Sequence, residues 1–184
     1  MKKNTLPINI LRYKKNKLVL DIETFNDIDK ACPYDISGNV YDNNDTLLYS
    51  FCLLRMDIML LPELQENCFY KNKINQYFID LKDKQYQYID FFFGNGYEII
   101  NRLNEIITKY DIDLVIGYNI DFDYTSINRL YTNVNIAIRN KKKWYKQLGL
   151  NYKSIPKIVV NKFKKVNVLD LMYISTLLLI HSKQ

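Results

Sequence analysis

The chain has 184 residues, a formal net charge of +6, and 48% hydrophobic against 25% charged residues. That is enough for one domain with a real core, and an ordinary globular balance that argues against a disordered or fibrous polypeptide. Three cysteines without CxxC spacing and a single histidine argue against a structural zinc site and fit a reducing, intracellular compartment. No run of about 18 or more apolar residues offers a membrane span.

Residues 1–16 read as a basic lead-in, with one candidate strand at Ile8–Tyr13 and no secretory signal. Lys17–Phe25 is the first strand. It carries Leu18-Val19-Leu20 into Asp21-Ile22-Glu23-Thr24. Strand side chains alternate, so Asp21 and Glu23 share a face. Two like charges so close require protonation, a basic partner or a divalent cation. No Lys or Arg lies between Lys17 and Lys30. Hard oxygen ligands set for Mg²⁺ or Mn²⁺ are one reading; a strand ending in solvated acids is the other.

Asn26–Asp45 is rich in Asp, Asn, Gly and Pro and reads as a long loop or irregular hairpin. Thr46–Met56 reads as a second strand, buried on both faces. A loop with a short helical piece after Pro62 follows, then a helix over Lys71–Asp83 and a third strand over Gln85–Phe93. Asn95–Tyr110 is the clearest helix. Ile99, Ile100, Leu103, Ile106 and Ile107 form its apolar stripe, and Asn95 with Glu98 has capping-box spacing. Asp113–Tyr118 is a short apolar strand, and a helix runs from about Asp123 to Tyr131. The expected architecture is a mixed sheet with helices on its faces. The Asn95 helix would lead from an edge strand to the Asp113 strand, lying beside the first strand. Asp123 would then approach Asp21 and Glu23 where parallel strands end. Three such acids suggest a site holding two ions about 4 Å apart.

The basic charge is local. Arg139–Leu169 contains no acid and ten of the 26 basic residues; the remaining 16 are outnumbered by 20 acids. Residues 132–169 are therefore read as a basic insertion, helical through Lys141–Leu148, with a β-hairpin of Lys157–Phe163 and Lys165–Asp170. Such a patch suits a nucleic-acid partner, and Lys141, Lys142 and Lys143 are candidate phosphate contacts. Leu177-Leu178-Leu179-Ile180 wants an apolar partner, so the C-terminus reads as cut short.

Asp21-Ile22-Glu23-Thr24 resembles the first exonuclease motif of family B DNA polymerases. Asn119-Ile120-Asp121-Phe122-Asp123, after Leu114-Val115-Ile116-Gly117-Tyr118, resembles the second. Val166–Tyr173 is similar to the strand between the second and third motifs. The resemblance covers roughly residues 17–178 and leans toward the protein-primed viral or plasmid branch, on the spacing of the second motif and on Pro33-Tyr34-Asp35. It implies a ribonuclease-H-like fold and metal-dependent 3′→5′ proofreading of DNA. It makes Asp21, Glu23 and Asp123 both catalytic residues and metal ligands, with Glu23 also orienting water. Thr24 and Phe25 would touch the 3′-terminal nucleotide; Asn119 and Phe122 would position the single strand. The family's third motif, Tyr with Asp four residues later, is absent, as is a polymerase domain. The expectation is thus an incomplete exonuclease domain, weak or inactive alone, whose partners are a single-stranded DNA 3′ end and the remaining polymerase domains. The alternatives are a non-catalytic DNA-binding or scaffold module on the same fold, or a stand-alone 3′→5′ nuclease.

Overall fold

The computed structural model describes residues 15–25, 32–84, 86–130, 137–138, 165–172 and 175. Strand β1 (Asn16–Phe25) pairs antiparallel with β2 (Cys32–Tyr41), which pairs antiparallel with β3 (Leu47–Arg55). After a 3₁₀ turn at Met56–Leu60 come the short helix α1 (Pro62–Gln65) and helix α2 (Cys68–Asp83). Strand β4 (Asp90–Gly94) joins the edge beside β3, in parallel. Helix α3 (Gly96–Lys109) crosses back to β5 (Ile112–Gly117), which lies parallel to β1. Helix α4 (Ile120–Leu130), the two-residue β6 (Ala137–Ile138) and β7 (Lys165–Asp170) complete the described elements. The result is an α/β mixed sheet of six main strands in the order β4-β3-β2-β1-β5-β7, with β6 beside β7 and helices on its faces. Only β2 runs against the others, so β1, β5 and β7 deliver their C-terminal ends to one edge.

Two cores hold the helices on. On one face Leu18, Leu20 and Ile22 of β1 pack with Ile99, Leu103 and Ile106 of α3 and with Ile120, Tyr124 and Ile127 of α4. On the other, Phe25, Tyr34, Cys52 and Leu54 pack beneath Ile74 and Phe78 of α2. The alternation in β1 is clean: Leu18, Leu20 and Ile22 are buried while Val19, Asp21 and Glu23 are exposed. Each buried aliphatic contributes about 1.5–3 kcal/mol, so the five-residue stripe of α3 is a principal anchor. The capping box predicted for α3 is present: Glu98 N–H donates to Asn95 Oδ1 (3.0 Å) and Asn95 N–H to Glu98 Oε2 (2.7 Å).

The placement of β4 at the edge, α3 as the crossover and β5 beside β1 matches the sequence expectation. Three expectations need correction, and a fourth is covered only in part by the described residues. Residues 32–41, read as part of a loop or irregular hairpin, form a regular ten-residue strand, because Pro33 sits at its start and Gly38 lies where a Cβ would meet Leu18 Cδ1 at 2.8 Å. Strand β3 is buried only over Phe51–Arg55; Leu47 and Leu48 are 50% and 44% exposed. The third strand begins at Asp90 rather than Gln85. Lys165–Asp170 is a strand, but its described partners, β5 and β6, are both parallel to it; the other arm of the expected hairpin, Lys157–Phe163, lies outside the described residues. Among the described residues, no helix is long and apolar enough to cross a membrane.

Candidate functional site

The site is built on the face of β1 that α3 and α4 do not cover. Its first row is a cross-strand ladder: Asp21 pairs in register with Ser37, and Glu23 with Asp35. Opposite residues in a ladder project from the same face. Asp21, Glu23 and Asp35 therefore form an acidic group, within which Asp35 is buried and Asp21 and Glu23 are exposed. The Glu23 carboxyl is pushed above the usual carboxylate range by partial burial, then by the negative charge of Asp21 and Asp35; Lys73 of α2 opposes them.

The second component arrives from the end of β5. Gly117 pairs with Asp170 of β7, and Val19 of β1 with Ile116, so Asp21 lies just beyond both strand ends. The chain must turn sharply there. A Cβ on Gly117 would stand 2.5 Å from Ile120 Cδ1 and 3.2 Å from the Leu20 carbonyl oxygen, so glycine lets α4 fold back at once. Asn119 takes a left-handed backbone (φ 59°), which Asn tolerates better than most residues. Its N–H donates to Asp170 Oδ1 (3.1 Å), and Met172 N–H donates to the same oxygen (3.0 Å). Asp170 thereby ties the β5–α4 turn to the end of β7.

That turn starts α4 three residues earlier than the sequence suggested, placing Asp123 on its first turn. A helix N-terminus favours a carboxylate. Burial outweighs it: Asp123 is 5% exposed, and desolvation, then Asp21, then Asp170, push its pKa up to about 7. Its Oδ2 is buried with no hydrogen-bond partner. A buried acceptor left unpaired costs about 1–3 kcal/mol and asks for a proton or a cation.

Thr24 and Phe122 are half-buried beside this region, as is Asn119. Phe25 is a correction. It is 1% exposed, in the core under α2, with its ring edge-on to Tyr70 at 5.3 Å, so it presents no surface to a nucleotide. Strand alternation keeps Phe25 on the face of Asp21 and Glu23, where α2 covers it, and the bulge between Glu23 and Thr24 leaves Tyr34 as the extra residue on β2. Lys141, Lys142 and Lys143 lie outside the described residues.

Two members of the group carry more than their sequence context suggests. Asp170 reads as a strand-end acid, yet its field reaches Asp123. Asp35 reads only as a mark of the family branch. Its Oδ1 accepts from Ser37 Oγ (2.6 Å) and Cys52 Sγ (3.4 Å), and its Oδ2 from the Tyr77 hydroxyl. Burial still holds its pKa above the ordinary value against those three bonds. A polar residue flanked by Tyr34 and Ile36 in a presumed loop gives no periodic signal.

No protein-family model matches the chain, and no curated protein does. The functional reading therefore rests on chemistry and geometry. In kind, Asp21, Glu23 and Asp123 are hard oxygen donors that suit Mg²⁺ or Mn²⁺, and the orphaned Asp123 Oδ2 suits a cation. In spacing they are not a finished cage: among the described residues, no group of three or more His, Cys, Asp or Glu side chains is gathered closely enough to hold an ion.

Proposed function

We propose that this chain is a 3′→5′ exonuclease-type domain of the kind found in family B DNA polymerases, on a ribonuclease-H-like variant of its α/β fold, acting on single-stranded DNA with Mg²⁺ or Mn²⁺. The observation that carries the reading is Asp123: a buried carboxylate with an unpaired oxygen, at the ends of parallel strands, within the field of Asp21 and Asp170. In this reading Asp21, Glu23 and Asp123 hold the ion. Such an ion supplies positive charge at the scissile phosphate. Glu23, with its raised proton affinity, orients the attacking water and accepts its proton. Thr24, Asn119 and Phe122 position the terminal nucleotides, Asp170 fixes the Asn119 turn, and Lys141, Lys142 and Lys143 bind backbone phosphates. With the third motif missing, the chain alone cleaves slowly.

Calorimetry with Mn²⁺ tests this directly. Binding that is lost in Asp123→Ala supports the assignment; binding unchanged in that variant removes Asp123 from the site. A second reading, a DNA-binding module without catalysis, is favoured by the lack of three gathered ligands among the described residues. Under it, Mn²⁺ does not bind at all while single-stranded DNA still does.

A further inference from the structure

A cavity of about 310 Å³ opens on the same face of the sheet, between strands β2, β3 and β4 and the C-terminal half of α2. That volume is at the small end of the range for small-molecule sites, roughly 300–1,000 Å³. Its walls are aromatic and aliphatic, with Tyr77, Tyr86 and Phe91 prominent. Tyr86 and Phe91 lie with centroids 6.0 Å apart and planes tilted by 33°. Its floor is polar, and the hydrogen bonds there decide what it can recognise. The carboxylate of Asp35 only accepts, so it takes the hydroxyl protons of Ser37 and Tyr77. Ser50 Oγ spends its proton on Asn39 Oδ1 (2.7 Å). Three hydroxyls lining the cavity therefore have lone pairs to offer and no proton to give. Asn39, with its carbonyl taken, has its amide N–H groups left. The set calls for a flat ring bearing an amino group and, beside it, an acceptor.

We propose that this cavity binds a single nucleobase carrying an exocyclic amine. Flat aromatic walls suit any base. The acceptor-rich floor suits the amine of adenine or cytosine, and the Asn39 amide suits the adjacent ring nitrogen. Uracil and thymine have a single N–H on that edge, at N3 between two carbonyl oxygens; in the orientation that seats the amine they set a carbonyl oxygen against hydroxyl lone pairs, and they are disfavoured. The cavity also adjoins the acidic ladder, because Ser37 lines it and is the register partner of Asp21. A nucleotide whose base is seated there directs its sugar and phosphate toward β1. That last link rests on the proposed function; base binding itself does not.

The test uses the full chain without divalent ions, with adenosine and uridine as probes and ligand-observed NMR as the readout. Adenosine binding stronger than uridine binding is expected, unchanged in Asp123→Asn, which leaves the cavity intact. Ser50→Phe, which fills the cavity, should weaken adenosine by about tenfold or more. If that variant fails to fold, Tyr86→Ala on the exposed wall takes its place, with the same weakening expected. Absence of adenosine binding at millimolar concentration overturns the proposal. So does equal binding of adenosine and uridine, or adenosine binding that neither variant changes. Absence of Mn²⁺ binding by the parent chain, with adenosine binding retained, would remove the exonuclease reading and leave the base pocket standing.

Discussion

Glu23 and Asp35 are register partners across the β1–β2 ladder, one exposed and one buried, and partial burial, then Asp21, then Asp35 make Glu23 harder to ionise. Asp35 meets its own cost of burial with three hydrogen bonds donated to it, while Glu23 has Lys73 nearby and water. This asymmetry assigns Asp35 to holding the wall and Glu23 to the open site.

Asp123 makes stability depend on pH in a definite direction. Its folded pKa of about 7 lies above its unfolded value of 3.8. A raised folded pKa gives stability that is fully present below the unfolded pKa and is lost as pH rises through the folded one. Asp123→Asn removes the titration. Urea unfolding without divalent ions should show the variant gaining on the parent from about pH 4 to about pH 7 and levelling above that, by on the order of a few kcal/mol at the upper end. A difference that stays flat with pH would mean that the carboxyl is not held in a desolvated pocket.

Asp21→Ala should abolish residual Mn²⁺-dependent trimming of a 3′-labelled single strand, a loss of at least about a hundredfold. The fold should survive, because the side chain is exposed and Leu20 and Ile22 carry the packing. Thermal melts beside the nuclease assay separate the two effects. Trimming that persists at parental rate would place the chemistry elsewhere.

Asp35→Leu should destabilise the chain by about 1–3 kcal/mol, since it strands the protons of Ser37 and Tyr77 in partly buried positions. Asp35→Asn, which keeps an acceptor, should cost less. Chemical denaturation of the pair reads out the ordering; the reverse ordering would refute the network.

Gly117→Val should be costly, by about 1–3 kcal/mol, because its Cβ meets both Ile120 and the Leu20 carbonyl. It should also weaken Mn²⁺ binding, as α4 shifts and carries Asp123 with it. A stable variant with unchanged Mn²⁺ affinity would show that the tight turn does not position the acid.

Replacing Lys141, Lys142 and Lys143 together with Ala should weaken single-stranded DNA binding. It should also flatten the dependence of log K on log salt by about 0.7 for each phosphate that is no longer neutralised. An unaltered salt slope would make this run a solvated face.

Helix α3 was legible because its signals agree: a cap and a helical stripe mark the same segment. Strands β1 and β5 were legible as apolar runs, and their adjacency followed from the crossover that α3 makes. Strand β2 was not, because its α2-facing residues Asp35, Ser37 and Asn39 are polar: Asp35 is buried in a hydrogen-bond network, and Ser37 and Asn39 line the cavity instead of an oily core. The start of α4 was missed because a left-handed Asn119 is a backbone choice that an Ile-Asp-Phe-Asp string does not announce. Asp21, Glu23 and Asp123 could be named from the sequence. The burial that makes Asp123 unusual, and the reach of Asp170 to it, come from which strand ends meet.

Strand β1 takes one neighbour, β2, from the next stretch of chain and the other, β5, from nearly a hundred residues on. During synthesis, therefore, the amino-terminal meander can form early, whereas Asp123 can join Asp21 only once the chain through α4 has been made. The constellation is thus a late product of folding, and a half-made chain leaving the ribosome carries the first two acids without their counterpart.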